Sequence, residues 1–153
     1  RRKIGDPVVG YWRISMISLL ASAVLWLAVS FAPALMPWSM VEWLLGILLI
    51  VGFAGGVING MLYKIAPFLA WFHLQAQLLG RTKIPHMKQL LPDAPVRQQG
   101  WAYLAALLLL LAATAYPSVL TYPAALALGL TGAWLGVNLW RVWRNYRRVL
   151  FRP

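Results

Sequence analysis

Long apolar stretches, interrupted by short segments that carry prolines or basic residues, set the pattern of this chain. A helix needs roughly 20 apolar residues to cross a bilayer core about 30 Å thick. Four stretches approach that length, and they predict membrane-spanning helices at about 12–32, 41–63, 101–116 and 123–143. No stretch shows a convincing strand pattern. We therefore expect an all-α integral membrane protein with four transmembrane helices in a single helical membrane domain.

The positions of the basic residues predict how the spans are oriented. The loop between spans one and two and the loop between spans three and four contain no basic residue. The 14 lysines and arginines lie instead near the amino terminus, between Lys64 and Arg97, and from Arg141 onward. Basic residues that flank membrane spans accumulate on the cytoplasmic side. Both termini and the long central segment are therefore predicted to be cytoplasmic, which agrees with an even number of crossings.

The central segment between spans two and three divides into an apolar and a polar part. Its apolar part predicts an amphipathic or re-entrant helix at about 65–80, and Pro67 is expected to permit a change of direction where this helix starts. The polar part, at 81–100, contains three prolines and predicts a cytoplasmic connector with at most a short helix around 86–91. His86 lies among lysines there, and we expect it to be solvated.

The composition excludes a soluble domain and narrows the partners. Hydrophobic residues make up 61% of the chain and charged residues 11%, which is far too apolar for an ordinary soluble protein. The net charge is +11, and the basic residues lie at the ends of apolar runs. This placement indicates anionic lipid headgroups as the partner and not nucleic acid. No cysteine is present, which excludes disulfides and thiolate metal sites. Because the chain begins at Arg1 and not at methionine, we expect a fragment or processed piece of a longer protein.

Glycines at helical spacing predict where spans meet other helices. Gly52, Gly56 and Gly60 recur every four residues in span two, and Gly132 and Gly136 repeat that spacing in span four. Small residues at this spacing let two helix backbones approach closely in lipid. We expect both spans to pack against neighbours through these faces, with direct contact between the two spans as one arrangement. A flat cofactor ring on the span-two face is the alternative interpretation.

Few residues offer chemistry within the spans, and His73 is the main candidate. No span pairs an acid with a base, and no Ser/His/Asp set is present, so a self-contained hydrolase or kinase is not expected. If residues 65–80 are helical, His73 shares a narrow stripe with Ala66, Ala70, Gln77 and Gly80. It can bond a neighbouring carbonyl, ligate a haem iron or another metal, or bond a quinone carbonyl. A structural or interfacial role is the alternative, and the stripe favours a buried contact.

The stretches "GMLYKIAPFLAWFH" and "IPHMKQLLPD" are the basis of a resemblance to a known family. Residues 52–95 resemble the C-terminal portion of large bacterial inner-membrane proteins related to haem-copper oxidases and to the haem-copper proteins of the nitric-oxide response. The resemblance implies a multi-pass protein of the bacterial inner membrane. Such families hold haem and copper with several histidines on different helices, whereas this chain offers one intramembrane candidate, His73. The other ligands would then lie in another part of the protein or in a partner chain.

These observations lead to one leading function and two alternatives. We expect a membrane module of a larger bacterial respiratory-type protein or complex, which packs beside or contributes to a haem or quinone site near the cytoplasmic face. Its candidate cofactor-binding residues are His73, Tyr63 and Asn59, with His73 as the haem-iron or metal ligand. At most, the chain is part of a membrane oxidoreductase. The alternatives are half of a transporter, with Asn59, Tyr63 and Asn138 along a path, and a structural or assembly subunit without a ligand.

Overall fold

The computed structural model describes residues 5–78 and 87–151, and every regular element among them is helical. The elements follow one another along the chain as α1 (Val8–Phe31), a short 3-10 turn (Pro33–Leu35), α2 (Trp38–Gly46), a π-helical segment (Ile47–Gly55), α3 (Gly56–Leu78), α4 (Met87–Leu90), α5 (Asp93–Ala115) and α6 (Pro117–Leu150).

Four helices are long and apolar enough to cross a membrane: α1, the continuous helix Trp38–Gln77, α5 and α6. This confirms the predicted all-helical fold and four candidate spans. In the most apolar window of each helix, only 11% to 22% of the residues are buried inside the chain. Most apolar side chains therefore face outward, as they do in a bundle surrounded by lipid or by other helices.

The break predicted near Pro67 is absent from the described residues. Helix α3 runs through Lys64 and Pro67 to Leu78 without interruption, so the helix predicted at 65–80 is the continuation of span two as far as the structure describes it. A proline removes one backbone donor, and membrane helices tolerate this loss where neighbouring groups compensate. Leu74, which is fully buried, supplies packing on the continued part of the helix. Residues 79 and 80 lie outside the described residues.

Helix α5 begins at Asp93, earlier than the start predicted for span three. Residues 93–100, which the sequence assigned to the polar connector, form its first two turns. Pro92 precedes the helix with an extended backbone, and Asp93 places an acidic side chain in the first turn, where the helix dipole favours it. The helix thereby reaches 23 residues, and the short helix expected around 86–91 is present as α4. His86 lies outside the described residues.

The helices pack as two pairs that meet along α3 and α6. Helix α1 packs on the π-helical segment and on α3, α5 packs chiefly on α6, and α3 packs on α6. Helix α6 has 34 residues, which corresponds to about 51 Å and exceeds a bilayer core of about 30 Å. We call the end at which α1 and α5 begin the basic end, because Arg13, Lys64, Arg97 and the arginines that close α6 lie towards it. The opposite end holds the turns from α1 to α2 and from α5 to α6.

The two glycine faces predicted from the sequence differ in what they contact. A Cβ at Gly60 would lie 3.3 Å from the Cβ of Tyr11, and a Cβ at Gly52 or Gly56 would lie closer still to Ser18 or Ser15 of α1. The face on span two therefore packs against span one, as close approach in lipid requires. A Cβ at Gly132 or Gly136 would meet no heavy atom of the described residues within 4 Å. The glycine faces of spans two and four therefore do not pack against each other, because α6 buries a different face, and packing of the span-four face against a partner stays a prediction.

Candidate polar cluster and cavity at the basic end

Gln99 on α5 is the centre of a group of polar side chains inside the bundle, and it is fully buried. Its Oε1 accepts a hydrogen bond from the hydroxyl of Tyr11 on α1. Its Nε2 donates to the carbonyl of Thr131 on α6 at 3.2 Å and to Oδ1 of Asn59 on α3 at 3.4 Å. Because buried polar groups in lipid are costly without partners, one carboxamide that bonds three other helices fixes their relative positions.

Tyr11 reaches Gln99 through space that two glycines leave open. The side chain is 1% exposed. A Cβ at Gly60 would lie 3.3 Å from its Cβ, and a Cβ at Gly100 would lie 3.3 Å from its Cζ. The carbonyl of Val96 lies 3.2 Å from the hydroxyl of Tyr11 and shares the single proton of that hydroxyl with Gln99. The two glycines therefore let this ring lie between α3 and α5, where even the Cβ of an alanine would press on it.

A second pair joins α3 to α6. Nδ2 of Asn138 donates to the hydroxyl of Tyr63 at 2.9 Å, and Asn138 is fully buried. The Tyr63 ring lies 5.7 Å from that of Tyr11, measured between centroids. Among the described residues, Oδ1 of Asn138 has no hydrogen-bond partner. This oxygen is a free acceptor in the interior, and such atoms call for an explanation because their burial is unfavourable.

Asn59 and Tyr103 complete this group of residues, and both bond backbone carbonyls near the π-helical segment. Nδ2 of Asn59 donates to the carbonyl of Gly55 at 2.7 Å, and the Tyr103 hydroxyl donates to the carbonyl of Val51. Segments of π-helix occur frequently at functional sites. We call the whole set the polar cluster, and its members are Tyr11, Asn59, Tyr63, Gln99, Tyr103, Thr131 and Asn138.

A cavity of about 530 Å³ adjoins the polar cluster at the basic end. It lies between the start of α1, the middle of α3, α4 and the start of α5, and we call it the basic-end cavity. Its walls are mainly apolar, with Val8, Phe68 and Val96 among them. Tyr63 belongs both to its wall and to the polar cluster. A ligand in this space would therefore lie next to a side chain that Asn138 holds in place.

Charged residues stand at the edge of the basic-end cavity. Asp6, Lys64 and Asp93 line it, so two of the three acidic residues of a chain with net charge +11 are here. Oδ2 of Asp6 lies 3.6 Å from Nζ of Lys64, and both side chains are half exposed or more. Oδ1 of Asp6 accepts from the backbone N–H of Val8 at 3.0 Å, which satisfies the first backbone donor of α1. The cavity thus combines apolar walls with a rim that offers both donors and acceptors.

The wall formed by α4 is fastened to the end of α6. Nδ2 of Asn145 donates to the carbonyl of Leu90 at 3.1 Å, and Leu90 and Leu91 are buried. Leu91 and Met87 line the basic-end cavity. A helix of four residues is marginal alone, so this contact and the burial of the leucines hold that wall in position.

The structure separates His73 from the other predicted site residues. Asn59 and Tyr63 lie one turn apart and both belong to the polar cluster, but His73 is about 15 Å further along α3 at 1.5 Å per residue. Its side chain is exposed, which differs from the buried contact expected from the stripe. Nδ1 lies 2.9 Å from the carbonyl of Leu69. In the tautomer that satisfies this contact, Nδ1 donates and Nε2 keeps a lone pair.

The surroundings of His73 bear on the metal and haem predictions. Within the described residues, no three His, Cys, Asp or Glu side chains lie close enough together to hold a metal ion. His73 offers one nitrogen on the outer surface, beside the ring of Phe72, and it is not among the described residues that line the basic-end cavity. A haem bound here would need the rest of its pocket and any second ligand from outside the described residues.

Sequence reasoning missed Gln99 and Tyr11, the two residues on which the cluster depends most. Gln99 was assigned to the connector, and Tyr11 precedes the predicted start of span one. A signal was present, because Val96, Gln99, Tyr103 and Ala106 follow helical spacing, and all four are buried. Comparison with known protein families, with curated proteins and with solved structures finds no match for this chain.

Proposed function

We propose that this chain is a membrane module of a larger bacterial respiratory-type inner-membrane protein or complex, and that its basic-end cavity binds the ring of a membrane quinone. The observation that carries the proposal is the meeting of an apolar cavity with a buried polar cluster at Tyr63. By the positive-inside rule, the basic end faces the cytoplasm. The site would then lie near the cytoplasmic face.

The chemistry of the cavity suits a quinone. A quinone ring is flat and apolar, carries two carbonyl acceptors and bears an apolar tail. The cavity offers apolar walls, and Lys64 at its rim supplies an ammonium donor. The hydroxyl of Tyr63 accepts from Asn138 and so keeps its own proton to donate. The volume of about 530 Å³ falls in the usual range for small-molecule sites, roughly 300–1,000 Å³.

The same geometry favours a quinone over a haem as the ligand of this cavity. Haem iron is held by an axial side chain, most often a histidine, and the described lining contains none. His73 is the residue that the haem hypothesis requires, and its side chain is exposed on the outer surface of α3, away from the described lining of this cavity. A haem at His73 is therefore a separate proposal from a quinone in the cavity, and the two can be tested apart.

A cavity-filling substitution tests the quinone site. Ile65 lines the cavity and is 46% exposed, whereas Ile58 on the same helix is 55% exposed and is not among the lining residues described. We expect the detergent-purified protein to bind a short-tailed ubiquinone analogue saturably in calorimetric titration. Ile65→Trp should weaken binding at least about tenfold, equivalent to about 1.4 kcal/mol, and Ile58→Trp should not. Absence of saturable binding, or equal binding by both variants, would overturn the proposal.

One observation favours the transporter alternative as a second candidate. Asn59, Tyr63 and Asn138, predicted to line a path, all belong to the polar cluster. A path would have to open this cluster to water during a cycle. The chain has no cysteine, so Asn59→Cys alone can report access. Labelling by a membrane-impermeant maleimide in sealed vesicles would support transport, and full protection would oppose it.

A further inference from the structure

A second cavity, of about 580 Å³, lies at the opposite end of the bundle. Helix α2, the start of the π-helical segment, the end of α5 and the start of α6 form it, and it shares no described residue with the basic-end cavity. Met40, Trp43, Ile47 and Ala113 supply much of its apolar wall. Among the described residues, no charged side chain lines it. We call it the neutral cavity.

The two threonines that line the neutral cavity have fixed hydrogen-bonding roles. Oγ1 of Thr114 donates to the carbonyl of Leu111 at 2.7 Å, and Oγ1 of Thr121 donates to the carbonyl of Pro117 at 2.6 Å. Each hydroxyl has a single proton, and that proton is committed to the threonine's own helix. Both oxygens therefore remain available to a ligand as acceptors only. A ligand matched to the threonines must donate a hydrogen bond, and the hydroxyl of Ser39, which also lines the cavity, can donate one in return.

The charges in and around the neutral cavity indicate which class of lipid headgroup it can bind. A phosphate group is an anionic acceptor that needs a cation or several donors. The described lining has no basic residue, and of its three hydroxyls only that of Ser39 has a proton that is not committed to its own helix. Glu42 is exposed beside Trp43 and adds negative charge at this end. Anionic lipid headgroups instead match the basic end, where the arginines lie. The neutral cavity therefore disfavours phospholipid headgroups.

We propose that the neutral cavity binds an uncharged lipid whose headgroup bears a free hydroxyl, such as a diacylglycerol. The hydroxyl of the lipid donates its one proton to a threonine oxygen and accepts from the hydroxyl of Ser39, and its apolar body lies against the wall formed by Trp43 and Ile47. A hydroquinone also has hydroxyl donors. A competition experiment with each unlabelled compound must therefore show which of the two ligands occupies the cavity. This site is independent of the quinone proposal for the basic-end cavity, since the two cavities have no described lining residue in common.

Photolabelling tests this site in phosphatidylcholine nanodiscs that contain a diazirine-bearing diacylglycerol. We expect the label on peptides spanning residues 39–47 and 110–125, with much weaker labelling there by a diazirine-bearing phosphatidylcholine. Thr114→Val combined with Thr121→Val removes both acceptors and should lower the labelling about fivefold, because the lipid hydroxyl then has no oxygen to which it can donate. Suppression by unlabelled diacylglycerol assigns the site to that lipid, and suppression only by a short-tailed hydroquinone assigns the hydroxyl donor to a quinol.

Ser30→Ala is the matched control for the threonine variants. Ser30 lies near the same end, its hydroxyl donates to the carbonyl of Trp26 at 2.8 Å, and it is not among the described lining residues. Because all three hydroxyls bond only their own helices, the variants should fold as the parent does, which circular dichroism checks. Equal labelling by both probes, labelling unchanged in the double threonine variant, or labelling lowered equally by Ser30→Ala would overturn the proposal.

Discussion

The two ends of this bundle satisfy the hydrogen-bonding groups of their polar side chains in different ways. At the basic end, Gln99 and Asn138 bond side chains or carbonyls of other helices. At the opposite end, the hydroxyls of Ser30, Thr114 and Thr121 bond carbonyls of their own helices. A hydrogen bond within one helix forms whatever the position of the neighbouring helices. A hydrogen bond between helices forms only when the two helices have one particular relative position. The basic end therefore has the more strictly specified geometry, as a binding site needs.

The largest expected difference in stability between variants at the two ends comes from substitutions of two glycines. Gly100→Val places branched carbons beyond a Cβ that already lies 3.3 Å from Tyr11, and it should cost about 3 kcal/mol. A Cβ at Gly46, on α2 towards the opposite end, would meet no heavy atom within 4 Å. Gly46→Val should therefore leave stability nearly unchanged. Unfolding by SDS titration from mixed micelles measures both, and equal losses would contradict the comparison.

The second prediction compares the stability lost when a carboxamide with hydrogen bonds to other helices is removed and when a hydroxyl bonded to its own helix is removed. Gln99→Leu removes three bonds to other helices, and since such bonds contribute about 0.6 kcal/mol each on average in membranes, we expect a loss of about 2 kcal/mol. Thr114→Val removes one bond within α5 and should cost less than about 0.5 kcal/mol. The same SDS titration applies. A Gln99→Leu variant as stable as the parent would show that the cluster does not hold the helices together.

A smaller loss is expected at the tyrosine that joins the polar cluster to the basic-end cavity. Tyr63→Phe removes the acceptor of Asn138 Nδ2 and leaves a fully buried carboxamide with fewer partners, at a cost of about 1 kcal/mol. Tyr122, which is 84% exposed near the opposite end, provides the control, and Tyr122→Phe should be neutral. Quinone binding by Tyr63→Phe should weaken as well, because a donor in the cavity wall is lost.

The smallest effect should come from the ion pair at the rim. Lys64→Gln removes a contact of 3.6 Å between side chains that are 61% and 50% exposed, and exposed pairs contribute about 0–1 kcal/mol at most. We expect a loss below about 0.5 kcal/mol that disappears at high salt. A larger loss that persists in salt would indicate that the rim stabilises the bundle as much as the polar cluster does.

Sequence reasoning reached the helical class, the four candidate spans and the packing of Gly52, Gly56 and Gly60, because length and spacing along one helix determine them. It placed Gln99 in a connector, because a polar residue beside Arg97 is typical of a loop until its partners are known. Those partners lie on three other helices. Their positions depend on tertiary packing, which local spacing does not contain.

The glycines of span four and the proline of α3 show the same limit of prediction from local sequence. Gly132 and Gly136 have the spacing of Gly52 and Gly56, but a Cβ at either would meet no heavy atom of the described residues within 4 Å. Spacing predicts that a helix face can pack closely and does not predict which helix it packs against. Pro67 is a local signal for a helix boundary, yet α3 continues past it to the fully buried Leu74. Tertiary packing overrides the local preference in both regions.

Photolabelling with an azido-substituted, short-tailed quinone tests the central claim most directly, because it reports where the ring lies. The account predicts label on peptides that contain residues 63–68 and 87–96, suppressed by the unlabelled quinone and by Ile65→Trp but not by Ile58→Trp. Label that resists competition, or that falls mainly on residues 39–47 and 110–125 at the opposite end, would contradict the assignment of the basic-end cavity as the quinone site.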